Sequence, residues 1–243
     1  GLKEALQYAN KLKEESMRPI VTEIAGKTYC NKDLVRYGME DLAIAIHVNT
    51  LSAMVDYITG KREELREKMI LHIVSPKEVS LYSGLLKERN RETLFVCDAI
   101  VNEFQFDKYY DQERFLIELQ ANFAENDDLR TIMQVAGNIQ AGTTASYSDD
   151  GISQKTTIKS GVERLDVQVP NPVKLIPYRT FSEVEQPSSL YVFRVKDDGN
   201  GAPMFKLVEA DNGLWKHAAM LKIKDYFEHE LADSYKKNLT IIA

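Results

Sequence analysis

The densest gathering of side chains able to do chemistry lies in PNPVKLIPYRTFSEVEQP and runs on into SSLYVFRVKDD. There Tyr178, Arg179, Phe181, Glu183, Glu185 and Arg194 interleave charges with aromatic rings, across neighbouring strands or a strand and a turn. Guanidinium groups fork onto carboxylates or phosphates and aromatic faces stack on bases, so one reading is a binding groove. The plainer reading pairs Arg179 and Arg194 with Glu183, Glu185 or Asp198 to fix strand or subunit register. Charge along the string is near neutral, whereas counterion-release binding to nucleic acid needs an excess of cations, and this favours the plainer reading. The string supplies no catalytic partner for any of these residues.

Metal chemistry has a weaker footing. Asp149 and Asp150 are adjacent carboxylates, and hard divalent cations take several oxygen ligands, but Asp149-Asp150-Gly151 also reads as a turn with aspartate bonding the local backbone. Asp197-Asp198-Gly199-Asn200-Gly201 reads as a hairpin loop, because it lacks the spacing and the terminal glutamate of a calcium loop. The four histidines, His47, His72, His217 and His229, fall in different segments, and none pairs with a cysteine or another histidine at ligand spacing. No phosphate-binding loop, dinucleotide fingerprint, nucleophile elbow or H-E-x-x-H occurs. A metal or cofactor is therefore not expected, and catalysis is the less favoured expectation.

The whole chain bounds the answer further. Its 243 residues carry 31 Lys plus Arg against 37 Asp plus Glu, a net charge of −6 that disfavours a generally cationic, duplex-binding surface. That length can bury a substantial core as one large domain or two closely packed ones. Cys30 and Cys97 share no motif spacing and suit a reducing compartment, with a disulfide between them left open. No run reaches the roughly 18 apolar residues of a membrane span. The charged, helical start GLKEALQYANKLKEE is unlike a signal peptide, so the cytoplasm is the expected location.

The elements that must position these residues follow from periodicity. Leu2, Ala5, Leu6, Ala9 and Leu12 share one helical face, and VTEIAGKTYC alternates around Ala25-Gly26 as a hairpin. Leu51, Met54, Val55 and Ile58 predict a second helix with Asn49 as its cap, followed by the charged KREELREK. MILHIVS, KEVSLYS and TLFVCDAIV predict a three-stranded antiparallel unit, and two helices occupy about 111 to 139. A polar loop, QAGTTASYSDDGISQ, leads to KTTIKSG, DVQV, VKLIPY, SLYVFRV and MFKLVEA, with prolines confining the strands to short or edge positions. Trp215, Ala219, Ile223, Phe227 and Leu231 predict a long C-terminal helix from about 213. The sum is α+β: antiparallel sheets with flanking helices, divided into a helical and hairpin region over 1–68 and an α+β core over 69–243, with one continuous domain as the alternative.

The strings SDDGISQKTTIKSG, PNPVKLIPYRTFSEVEQPSSLYVFRVKD and KLVEADNGLWKHAA resemble the uncharacterised YfdQ-like family of phage and prophage proteins, as do VNTLSAMVDYI, LHIVSPKEVSLYS and FDKYYDQERFLIELQANF. The resemblance spans about residues 20 to 230, and PYRTF-x-E-V-x-QP is its most specific part. Asn212 stands where the pattern would have a second glycine, a change compatible with a left-handed turn. The resemblance implies a phage or prophage origin, a bacterial host cytoplasm and gene neighbourhoods often rich in recombination or DNA metabolism. It implies no catalytic residues. The leading expectation is a non-enzymatic homo-oligomer that assembles or binds, with itself or a phage or host protein as partner. The second is an accessory of phage DNA metabolism that binds single strands or a recombination protein through Tyr178, Arg179, Phe181 and Arg194, although nucleic acid is disfavoured as a partner. The third is a divalent-cation-dependent hydrolase using Asp149, Asp150 and one of Glu183, Glu185 or Asp211.

Overall fold

A computed structural model describes residues 1–33, 42–60, 68–87, 89–139, 148–149, 154–160, 163–169 and 171–243. The chain divides into two compact units, Gly1–Leu42 and Ala43–Ala243.

The first unit holds helix α1 (Leu2–Met17) and a hairpin of β1 (Val21–Ile24) and β2 (Lys27–Cys30). Ala25 and Gly26 both take positive φ, 52° and 74°, the geometry a two-residue turn needs to match strand twist. Ile24 pairs with Lys27 and Val21 with Cys30. Lys32 Nζ donates to the Ser16 carbonyl at 2.6 Å, and the Ile20 amide donates to Asn31 Oδ1 at 2.7 Å, tying helix to hairpin. Yet none of the described residues up to Asp33 is buried.

The second unit begins with β3 (Ile46–Val48) and α2 (Leu51–Gly60). Next come β4 (Met69–Ser75), β5 (Glu78–Ser83) and β6 (Thr93–Asp98), the expected antiparallel trio. β7 (Tyr110–Asp111) leads into α3 (Gln112–Asn122) and α4 (Asp127–Asn138). Asp111 Oδ1 caps α3 through the Arg114 amide, and Asn126 Oδ1 caps α4 through the Leu129 amide. β8 (Ser148–Asp149), β9 (Gln154–Ser160) and β10 (Glu163–Val169) form a separate three-stranded sheet. β11 (Val173–Leu175), β12 (Ser189–Asp197) and β13 (Pro203–Glu209) precede α5 (Leu214–Glu230), α6 (Asp233–Lys236) and β14 (Leu239–Ile242). Most of KREELREK and of the polar stretch around 140–154, Asp150 included, lies outside the described residues.

The architecture is α+β with two principal sheets. A four-stranded antiparallel sheet runs β11-β12-β13-β7 and packs Tyr191, Phe193, Phe205 and Leu207 against Phe115, Leu119, Ile132 and Val135 of α3 and α4. A five-stranded sheet runs β14-β4-β5-β6-β3 and packs Leu71, Ile73, Leu81 and Phe95 with α2 and α5. Each fully buried apolar side chain contributes about 1.5–3 kcal/mol, so both clusters are substantial cores.

Two expectations, antiparallel pairing throughout and short or edge strands beside the prolines, are corrected by these pairings. The division between the two compact units falls at residue 42, with β3 paired to β6 and α2 burying Leu51, Met54 and Ile58 inside the second. The five-stranded sheet is mixed, since β3 and β14 join it in parallel. β12 is central and nine residues long, because the prolines around it fall outside the strand and leave its ladder donors intact. The C-terminal helix runs 17 residues and the short α6 and β14 follow it. No described helix is long and apolar enough to cross a membrane.

Candidate functional site

The string singled out by its chemistry, residues 177 to 187, runs between β11 and β12 and gives Phe181 and Val184 to the core of the five-stranded sheet. Its tight turn is held by Gln186, whose Oε1 accepts from the Arg179 amide at 2.9 Å and whose Nε2 donates to the Phe181 carbonyl at 2.9 Å. Thr180 donates its hydroxyl to the Pro76 carbonyl in the turn between β4 and β5. Phe181 is sealed in the core of the five-stranded sheet.

Arg179 is only 6% exposed, yet its guanidinium is well supplied with partners. Nη1 donates to the Tyr191 hydroxyl at 2.9 Å and to Glu209 Oε1 at 3.1 Å, while Nη2 donates to the Pro187 carbonyl at 3.1 Å and to the Ser189 hydroxyl. The Trp215 ring lies against it, 3.9 Å from the guanidinium carbon to the ring centroid. Burial lowers the Arg179 pKa, with Tyr191 and Glu209 pulling it back up, and burial pushes the Tyr191 phenol upward. Arginine stays protonated under such shifts, so Arg179 and Glu209 form a largely buried ion pair with Tyr191 as its neutral third member. The expected partners Glu183, Glu185 and Asp198 are therefore not the ones chosen.

Glu183 works elsewhere: its Oε1 accepts from the Leu51 amide at 2.7 Å, so a carboxylate 132 positions away caps α2 at its positive end. Asn49, the expected cap, instead donates to the Asp98 carbonyl at 2.9 Å. Glu185 pairs with Lys222 on α5, which lowers its pKa. Tyr178 is 46% exposed. Arg194 is separate from all of these, on β12 opposite Lys206, an arrangement of like charges in direct register. Lys206 is drawn off by Asp107 at 2.7 Å, and both Lys196 and Lys206 lie over the Tyr109 ring.

Of the metal candidates, Asp150 and the side chain of Asp149 lie outside what the structure describes. Among the described residues no three His, Cys, Asp or Glu side chains gather to hold an ion. Asp211 Oδ1 accepts from the Gly213 amide, Asp197 and Asp198 accept from the amides of their own hairpin loop, and the loop reading of that stretch holds. Cys30 and Cys97 are both free thiols.

Beside Arg179 a cleft of about 270 Å³ opens, with Phe104, Phe106, Pro177, Tyr178 and Trp215 on its apolar wall. Lys77, paired with Glu103, and Lys216 reach its rim. Two buried polar atoms at this cleft lack a hydrogen-bond partner: Arg179 Nε and Asn122 Oδ1. Each such orphan costs about 1–3 kcal/mol, which a native fold tolerates only at a few places. Concavities of about 380 and 410 Å³ elsewhere are roomier, but neither is lined by an orphaned buried atom among the described residues.

Sequence reasoning found Arg179 and missed Glu209, Tyr191, Asn122 and Trp215. Only Trp215 carried a signal, as the lone tryptophan of the chain beside a lysine at a helix start.

No protein-family model, curated protein or solved structure matches this chain.

Proposed function

We propose that the chain is a non-enzymatic, homo-oligomeric assembly or binding protein, and that α1 is the element through which copies associate. The observation that carries this reading is the first unit, in which Leu2 is 82% and Leu6 57% exposed along a single helical stripe. A 16-residue helix and a two-stranded hairpin are each marginal in water without a face to bury. A second copy of α1 is a suitable cover. The stripe is apolar at spacings of three and four, and its flanks carry Lys3, Lys11 and Lys13 against Glu4, Glu14 and Glu15, a set complementary to itself. The resemblance of the PYRTF-x-E-V-x-QP region to the YfdQ-like family supports a phage or prophage origin and a place in the bacterial host cytoplasm.

Mass photometry or light scattering on the whole chain tests the proposal. Expected is a multiple of the monomer mass at micromolar concentration, reduced to monomer in Leu6→Asp/Leu12→Asp with an unchanged far-UV spectrum. A monomeric wild type, or an oligomer indifferent to this double substitution, overturns it.

The DNA-accessory reading keeps one specific observation in its favour, Arg194 in register with Lys206 and with Lys196 two residues further along β12. Binding of single-stranded oligonucleotides that weakens with salt and is lost in Arg194→Ala would favour it over self-assembly as the chain's output.

A further inference from the structure

We infer that the cleft beside Arg179 is a binding site for a small molecule built from one planar aromatic ring and one acidic group. This inference is independent of the oligomer.

The apolar wall sets the ring. Trp215 is half-buried with the guanidinium on one face, and Tyr178 and Phe106 complete a lining suited to a flat apolar group. At about 270 Å³ the space suits a fragment or a mononucleotide.

The charges set the acidic group. Arg179 is matched by Glu209 and Lys77 by Glu103, but Lys216 makes no ion pair among the described residues. Lys216 sits in the first turn of α5, where the helix carries no acidic residue and Gly213, its N-cap, offers no side chain. Its ammonium is folded back over that start: a Cβ built on Gly213 would stand 3.9 Å from Lys216 Nζ. A cation at the positive end of a helix is the reverse of the favourable placement, and an anion between ammonium and helix start resolves it. Asp211 does not serve, because its Oδ1 is engaged by the Gly213 amide and its charge faces Arg179.

Arg179 Nε and Asn122 Oδ1 lie without hydrogen-bond partners behind this lining, on residues more than nine-tenths buried, and each atom is itself closed off from solvent.

Trp215 is the chain's only tryptophan, so its emission reports on the cleft without a label. The full chain is titrated with benzoate, with the neutral isostere benzamide and with adenosine 5′-monophosphate, exciting at wavelengths the probes do not absorb. Expected is a saturable change in Trp215 emission with benzoate at millimolar concentrations and about tenfold weaker binding of benzamide, equivalent to about 1.4 kcal/mol. Lys216→Gln, a surface substitution, should bring benzoate down to the benzamide value. Tighter binding of the nucleotide than of benzoate assigns the acidic group to a phosphate, and weaker binding assigns it to a carboxylate; each supports the site. A flat response to all three probes, equal affinity for benzoate and benzamide, or discrimination that survives Lys216→Gln overturns the inference.

Discussion

Along α1, Leu2, Leu6 and Leu12 stand exposed, whereas along α2 the apolar Leu51, Met54 and Ile58 are at most 1% exposed. The two helices carry the same kind of apolar stripe and differ in what the rest of their own unit offers it. α2 has a sheet, the Phe181 ring and a carboxylate cap delivered by Glu183. α1 has only a two-stranded ribbon whose residues are exposed as well. Amphipathicity therefore states that a face must be covered and leaves open which chain supplies the cover.

The sharpest way to stress the well-covered region is to remove the group that joins its two cores. Arg179→Ala leaves the Glu209 carboxylate part-buried without its cation and strips Tyr191 and Ser189 of a donor, and a loss of about 3–5 kcal/mol in urea unfolding is expected. A loss below about 1 kcal/mol, the range of surface ion pairs, would mean the seam is held by packing alone.

The helices themselves supply a matched pair. Met54→Ala in α2 should cost about 2–5 kcal/mol through transfer and cavity. Leu6→Ala in α1 should shift the unfolding of the larger unit by no more than about 0.5 kcal/mol. Equal effects would erase the distinction drawn between the two stripes.

The two cysteines give the mildest probe, one in each unit. Cys30 is exposed and Cys97 buried, so native protein should consume one equivalent of a thiol reagent and denatured protein two. Burial first, then Glu183 and Asp98, pushes the Cys97 thiol from an ordinary value of 9.0 up to about 12. A raised thiol favours the folded state while protonated, so its contribution is complete below pH 9, declines as pH rises through that interval and is gone above about 12. Cys97→Ala should flatten the alkaline fall in stability, as measured by unfolding at pH 8 and pH 10.

Periodicity along the chain made α3, α4, the hairpin at Ala25-Gly26 and the trio β4, β5 and β6 legible, because each is decided by residues within a few positions of one another. The parallel joins of β3 to β6 and β14 to β4 were not, since nothing in IHV or LTII marks a partner dozens of residues away. The site shows the same limit. Arg179 stood out as a charge among aromatics, but its choice of Glu209 over the nearer Glu183 and Glu185 depends on β13 ending beside β12, which is a fact of topology. Glu183 likewise read as a binding residue until α2 was seen to begin at its carboxylate.

β14 closes one side of the five-stranded sheet by pairing Leu239 with Met69 and Ile242 with His72. A ribosome adds about 5–20 residues each second, so β4 emerges on the order of ten seconds before the strand that will lie beside it. For that interval the growing chain carries Ile70 and its neighbours along an unpaired, apolar edge, the kind of edge on which nascent chains stick to one another.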